Sequence, residues 1–305
     1  MILIITFKED YTADFIINKL NKKGIAYKRL NCEDILTYPY TLKFSDKSSL
    51  SLMGENHFEA VWFRRTKLPS LSEFSIAERI YLSGEIEAFI KNLFCLIEAK
   101  WVSDPFYVYK AENKFLQLRE AAKLGFKIPD TLITNSKEEL AEFYVAHERK
   151  IIVKPIAQTR INYSDDPQFI FTDAVTDNTM ATIAEHDLTP CLFQENVSKL
   201  HELRVTVVGS KVFTAAVYSQ KDSQTTIDWR RKKLPFHISE LPVDIEQKCI
   251  KLVEVLQLKF GAIDLIKDKN GEYIFLEINP NGQWAWIESQ TGMPISDAII
   301  DELLC

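Results

Sequence analysis

The chain has 305 residues, 46% hydrophobic and 26% charged, with a formal net charge of -6 and a mean hydropathy of -0.11. That composition excludes a largely disordered chain and leaves room for two or three compact units. No apolar run reaches the roughly 20 residues a bilayer requires, and a pI near 5.6 argues against a surface built for nucleic-acid backbones.

The opening MILIITF lacks the basic leader and cleavage site of a secretory signal. Five scattered cysteines (Cys32, Cys95, Cys191, Cys249, Cys305) form no CxxC pair. A cytoplasmic protein with reduced thiols, no membrane association and no nucleic-acid partner is therefore expected. ILIIT predicts a first strand, DYTADFIINKLNKKG an amphipathic helix, AVWFRR another strand, and residues 74 to 98 a long helix. Asp104-Pro105 offers a seam. Beyond it AENKFLQLREAAKLGF reads as a helix stopped by Gly125, IPDTLIT as a strand, and Ser136 with Glu139 as a capping box for the next helix. RKIIVKP is then an apolar strand that delivers Lys154 at its end. Two hairpins follow, with helices at 243 to 257 and 295 to 303.

The last hairpin, GAIDLIKDKNGEYIFLEINPN, carries the most information. Asn270-Gly271 predicts a type I′ turn. Counting outward from it sets Asp264 opposite Glu277, with Asn279 on the same face and Ile263, Leu265, Ile274, Leu276 and Ile278 toward the core. Opposed carboxylates repel unless a cation lies between them, and Mg²⁺ suits two carboxylates plus an amide oxygen. A solvent-exposed acidic pair at a sheet edge is the alternative, and the trio alone does not separate the two.

The preceding hairpin, closed by Gly209-Ser210 as a type II′ turn, puts Glu202, Arg204 and Thr206 on one face, with Arg204 opposite Ala215. A strand arginine in such a place needs an anion. Before it an apolar strand runs into Gln194-Glu195-Asn196-Val197. Lys114 and Lys154 are each weak signals alone, and the basic run RRKK at 230 to 233 reads alone as a solvated loop.

Taken together, the order of two lysines, an apolar strand ending in QE, an ExR strand, then D and ExN resembles the ATP-grasp superfamily across the whole chain. The resemblance implies α/β and α+β architecture: an ATP-grasp fold behind an N-terminal α/β (pre-ATP-grasp) domain, with parts at 1–105, 106–195 and 196–305. It implies ATP and Mg²⁺. Lys114 and Lys154 match phosphate-binding lysines, and Gln194, Glu195 and Val197 the adenine hinge. Glu202 matches a ribose ligand, Arg204 a phosphate-facing arginine, and Asp264, Glu277 and Asn279 the metal ligands. One departure stands out: KPIAQTRINYSDDPQ has no glycine to cover phosphates, leaving Thr159, Arg160 and Ser164 as donors.

WFRR, FQENVSKLHELRVTVVG, DWRR and EINPNGQWAWIE are similar to the ATP-grasp peptide maturases that make graspetides, the microviridin-type ligases among them. These join Asp or Glu side chains of a ribosomal precursor peptide to Ser, Thr or Lys side chains. The resemblance implies a homodimer acting on a precursor with a leader and an acidic core. Arg64, Arg65, Trp229, Arg230 and Arg231 are the expected substrate contacts, with Arg65 and Arg230 gripping the acidic side chain. Trp284 and Trp286 read equally as core or channel. The rival is a ligase of free amino acids or small peptides, resembling the glutamate-adding members; a non-catalytic nucleotide-binding module is the third reading.

Overall fold

The computed structural model describes residues 1–46, 48–157, 160–163, 166–185 and 189–305, with only the backbone described at 160–163, 166–169 and 184. Strand β1 (Ile2–Thr6) is buried along its length. Helix α1 (Tyr11–Lys23) starts where Asp10 accepts the amides of Thr12 and Ala13, and stops at Gly24 in the left-handed conformation. β2 (Tyr27–Asn31), β3 (Tyr40–Lys43), β4 (Ser49–Leu52), β5 (Ala60–Phe63), α2 (Ile76–Leu96) and β6 (Lys100–Val102) follow. The sheet β2-β1-β5-β6 is parallel throughout, as helical crossovers require. The β3–β4 hairpin was not foreseen, because its strands are mostly exposed and show little apolar alternation.

The middle of the chain holds α3 (Pro105–Ala111), α4 (Lys114–Lys123), β7 (Thr131–Leu132), α5 (Lys137–Ala146), β8 (Ile151–Pro155), β9 (Arg160–Tyr163), β10 (Asp166–Phe169), β11 (Asp173–Ala174), α6 (Asp177–Thr182) and β12 (Cys191–Glu195). β11-β8-β12-β7 form an antiparallel sheet over a small core of Leu140, Tyr144, Ile151, Val175 and Phe193. The helix predicted from Ala111 begins at Lys114, since Asn113 caps it through the amides of Phe115 and Leu116. The capping box at Ser136 is only half made: Ser136 accepts the Glu139 amide, while the Glu139 carboxylate takes the Thr134 hydroxyl at 2.7 Å.

The last part comprises β13 (Lys199–Val208), β14 (Lys211–Val217), β15 (His237–Ile238), α7 (Val243–Val255), β16 (Phe260–Asp268), β17 (Tyr273–Asn279), α8 (Ala285–Thr291) and α9 (Ile295–Leu304). Its sheet runs β15-β14-β13-β16-β17, antiparallel throughout. The seams foreseen near 105 and 195 separate sheets, and the middle sheet keeps the small core just named, but two larger apolar clusters cross the seams. One apolar cluster joins Ile2, Ile4 and Trp62 to Trp284 and Ile299, and another joins Leu3 and Phe63 to Val205 and Phe275.

The β16–β17 hairpin corrects the sequence reading in detail while preserving its result. Asp264 pairs with Glu277 as expected. The loop, however, is a three-residue one: the Gly271 amide returns to the Asp268 carbonyl at 3.1 Å, and Gly271 alone has positive φ, at 87°, a type I turn with a glycine bulge rather than type I′. That shift of one residue is undone by a bulge at Leu276. Between the two, parity is inverted. Phe275 enters the core, and Ile274 and Leu276, expected there, instead form a separate cluster with Val197 and Ile266.

Candidate active site

A cleft of about 1160 Å³ lies between the middle and last sheets. Alternation along β13, β16 and β17 sends Glu202, Arg204, Asp264, Glu277 and Asn279 into it, while β8 and β12 contribute Lys154 and Gln194 from the other side. Arg204 pairs with Asp264 (3.2 Å) and Lys114 with Glu277 (3.0 Å). The Asn279 side-chain amide donates to both carboxylates, at 3.2 and 3.3 Å. Burial lifts the Asp264 carboxyl above its ordinary range, with Glu277 adding to the rise and Arg204 opposing it. Burial acts on Glu277 too, but Lys114, Lys154 and Arg230 outweigh it and hold that carboxyl low.

Two carboxylates and an amide converging from adjacent strands fit a hard cation. Turning the Asn279 amide over would present its oxygen in place of its NH₂. Among the described residues there is no cluster of three His, Cys, Asp or Glu that could hold a metal, so a cation here would need ligands from elsewhere as well.

Lys154 is half-buried, donating to Gln194 Oε1 at 2.8 Å. Burial, reinforced by the neighbouring cations Lys114, Lys199 and Arg230 against the pull of Glu277, lowers its pKa to about 8. Gln194, foreseen as an adenine contact, spends its side chain elsewhere: its Nε2 donates to Thr131 at 2.9 Å, which fixes its oxygen toward Lys154. The hinge backbone is folded on itself, the Val197 amide donating to the Glu195 carbonyl at 3.1 Å.

Glu202 is buried against Lys199, a cleft residue the sequence reading missed. A register shift between Lys199 and His201 turns Lys199 onto the Glu202 face, and nothing in the sequence marks that bulge. Among the described residues the second Glu202 oxygen accepts no well-formed hydrogen bond, although the Ser219 side chain lies near the carboxylate.

The expected substrate contacts divide. Arg65 lines the cleft, whereas Arg64 is 2% exposed, paired with Asp10 at 3.3 Å and donating to the Asn281 carbonyl. It joins the first unit to the turn after β17 and is not free to meet a substrate. Arg230 lines the cleft, but the planar edge foreseen for a substrate carboxylate is taken by Asp228 at 2.8 and 2.5 Å. Arg231 turns away, bonding the Thr172 carbonyl and pairing with Asp173. The basic run is exposed but specifically engaged: Lys232 pairs with Asp222, and Lys233 lines the cleft. Phe236 packs edge to face on both Trp229 and Trp286, which are tilted 40° to each other, and the three form an aromatic wall, while Trp284 is fully buried against Phe15. Thr159 and Ser164 and the Arg160 side chain lie outside the described residues.

Two antiparallel sheets that close on a cleft, with Lys154 from one and an arginine and an acid pair from the other, define an ATP-grasp ligase. The RimK-like ATP-grasp domain matches residues 111–303, and the chain belongs to that family. Its structure is similar to that of the macrocyclase MdnC bound with precursor peptide MdnA from Microcystis aeruginosa MRC, with a TM-score of 0.88 and 29% identity over 100% of this chain and 99% of that one. It is equally similar to a Chryseobacterium gregarium RiPP-associated ATP-grasp ligase in complex with ADP and a leader and core peptide, with a TM-score of 0.87 and 30% identity over 99% and 96% of the two chains. Among curated proteins, an alpha-aminoadipate–LysW ligase, LysX of Sulfurisphaera tokodaii, is 22% identical over 62% of this chain; the match spans 66% of that relative's length.

Proposed function

We propose that this ligase uses ATP to activate Asp or Glu side chains of a ribosomal precursor peptide and joins them to Ser or Thr side chains as esters, or to Lys as amides, closing rings. The observation that carries this reading is the continuity of the cleft. Its acid-and-lysine end runs without a break into a wall of Trp229, Trp286 and Phe236 set among Arg65, Arg230 and Lys233. On a chain of net charge -6, a cationic aromatic channel suits an acidic peptide. The full-length likeness to a macrocyclase and a RiPP-associated ligase points the same way.

Val197, Ile266 and Leu276, backed by Ile274, supply an apolar floor for the adenine. The bond between the Val197 amide and the Glu195 carbonyl exchanges for two bonds to the base edge. The second Glu202 oxygen is the ribose acceptor. Asp264, Glu277 and Asn279 would hold Mg²⁺, which when bound offsets charge on the β- and γ-phosphates. Lys114 and Lys154 neutralise the remaining phosphate charge. Arg204 stabilises the phosphoryl group in transfer.

A peptide carboxylate held by Arg65 and by the part of the Arg230 guanidinium not engaged with Asp228 attacks the γ-phosphorus, and ADP leaves. The acceptor oxygen or nitrogen then attacks the acyl carbon, and phosphate leaves as the acceptor's proton is lost. No protein nucleophile takes part; positioning supplies the acceleration.

The protein acts in the cytoplasm as a homodimer in this reading. Ile76, Ile80 and Tyr81, 66 to 72% exposed on the first half of α2, form an apolar surface fit for a second copy. Ile80→Glu should convert the dimer to monomer in light scattering, and an unchanged mass would remove α2 from the interface.

Mass spectrometry of an acidic precursor peptide encoded beside the gene, after incubation with protein, ATP and Mg²⁺, tests the whole reading. Loss of one water per link supports it, and alkaline lability separates ester from amide. An unchanged peptide with ATP turnover on free amino acids would move the assignment to the small-substrate ligases, the class favoured by the likeness to LysX.

A further inference from the structure

Among the described residues β17 is the last strand of its sheet, and its outer edge meets only an isolated bridge between Ile274 and Lys127. Phe275 finds a partner in the Lys127 carbonyl at 2.8 Å. Three residues on, at Ile278, the partner is a side chain. Gln117 of α4, 3% exposed, accepts the Ile278 amide on Oε1 at 3.0 Å and donates Nε2 to the Ile278 carbonyl at 2.8 Å. Its carboxamide thus occupies the place of a peptide group in a missing sixth strand. The second Nε2 hydrogen goes to the Ala111 carbonyl at 2.7 Å, at the end of α3. Both donors are used, and each of these buried backbone groups would otherwise be left unpaired.

Ile278 lies between Glu277 and Asn279, and its own side chain enters the core. Fixing the peptide groups on either side of Ile278 therefore fixes the directions in which Glu277 and Asn279 leave the strand. Gln117 also lies three residues beyond Lys114, whose ammonium pairs with Glu277, so one helix sets both the lysine and the strand it meets. The bulge at Leu276, immediately before this stretch, makes such an outside constraint necessary, because a bulge leaves the local ladder free to bend.

We propose that Gln117 is a positioning residue for the cation end of the cleft, holding Glu277 and Asn279 in the geometry that binds a divalent metal with nucleotide. This rests on the metal-site reading given under the proposed function. No other residue type at 117 replaces it fully. Glutamate loses donors, asparagine falls one methylene short, and leucine leaves three backbone groups without partners.

The test is Mn²⁺ binding to the protein with ADP, read by electron paramagnetic resonance, on wild type, Gln117→Leu, Gln117→Asn and Glu277→Gln, with the melting temperature of each. Outer residues that orient metal ligands typically contribute about 10–100-fold in affinity. Gln117→Leu should lose Mn²⁺ affinity by about that factor while folded at the assay temperature, and Gln117→Asn by less. If Gln117→Leu does not fold, Gln117→Asn alone decides, since it keeps the amide chemistry and changes only reach. Wild-type Mn²⁺ affinity in either folded variant, with Glu277→Gln defective, would overturn the proposal and leave the metal site standing. Wild-type affinity in Glu277→Gln would overturn the metal site, and the role of Gln117 with it.

Discussion

The two ends of the cleft are built on different supports. At the nucleotide end every functional side chain but Lys114 rises from a strand or its immediate end, and the charges other than that of Lys154 are already paired: Lys114 with Glu277, Arg204 with Asp264, Lys199 with Glu202. At the peptide end the cations stand on connecting segments. Arg65 follows β5, and Arg230 belongs to a single 3₁₀ turn at Trp229–Arg231. The difference teaches where precision is needed. Phosphoryl transfer tolerates little displacement of its electrostatic groups, whereas a peptide that must present several side chains in turn needs a surface that can adjust.

That contrast can be broken most directly at Glu277. Glu277→Gln keeps the shape and removes the charge, so ADP release in a coupled assay should fall on the order of 10³-fold; near-wild-type turnover would mean that the strand-borne end is not the catalytic one. Arg64 and Arg65 give the next largest effect and separate support from contact. Removing Arg64 takes the paired cation from the buried Asp10 carboxylate, which keeps its bonds to Thr6, Thr12 and Ala13, and Arg64→Ala should cost about 3 kcal/mol of unfolding free energy in denaturant titration. Arg65→Ala should leave stability close to wild type and raise the KM for peptide instead. Equal stability losses would erase the distinction.

A pH profile sharpens the nucleotide end. Lys154 has its pKa lowered to about 8, so it is cationic below that value and neutral above it. Since the cation attracts the triphosphate, kcat/KM for ATP should fall about tenfold per pH unit well above 8, as for loss of a single proton. Lys154→Arg, charged throughout, should flatten that limb, and an equally steep limb in the variant would assign it to another group. The smallest effect is expected at Arg230. Arg230→Lys loses the paired bonds to Asp228 that hold the loop, and the KM for peptide should rise about fivefold, on the scale of one charge-assisted contact, with peptide-independent ATP hydrolysis unchanged. A change in ATP hydrolysis instead would place Arg230 at the phosphates.

Much of this site was legible in the sequence because a strand has a period of two. Once β16 and β17 are recognised, Asp264, Glu277 and Asn279 must share a face, and Arg204 must lie opposite Ala215. The acid pair survived an error in the turn because the loop and the bulge at Leu276 displaced the register by one residue each in opposite senses. The same cancellation misassigned Ile274 and Leu276, since parity differs between the two irregularities.

What the sequence could not determine is which partner arrives from a distant part of the chain. Arg64 and Arg65 are identical and adjacent, as are Arg230 and Arg231. Only the placement of Asp10 buries Arg64 and leaves Arg65 at the cleft, though both reach the Asn281 carbonyl, and only that of Asp228, Thr172 and Asp173 holds Arg230 at the cleft and turns Arg231 from it. Lys199 was hidden by a bulge and Gln117 by its position in an ordinary helix. Local periodicity fixes the face a side chain leaves from; what it meets depends on long-range packing, which brings together residues 161 apart, as at Gln117 and Ile278.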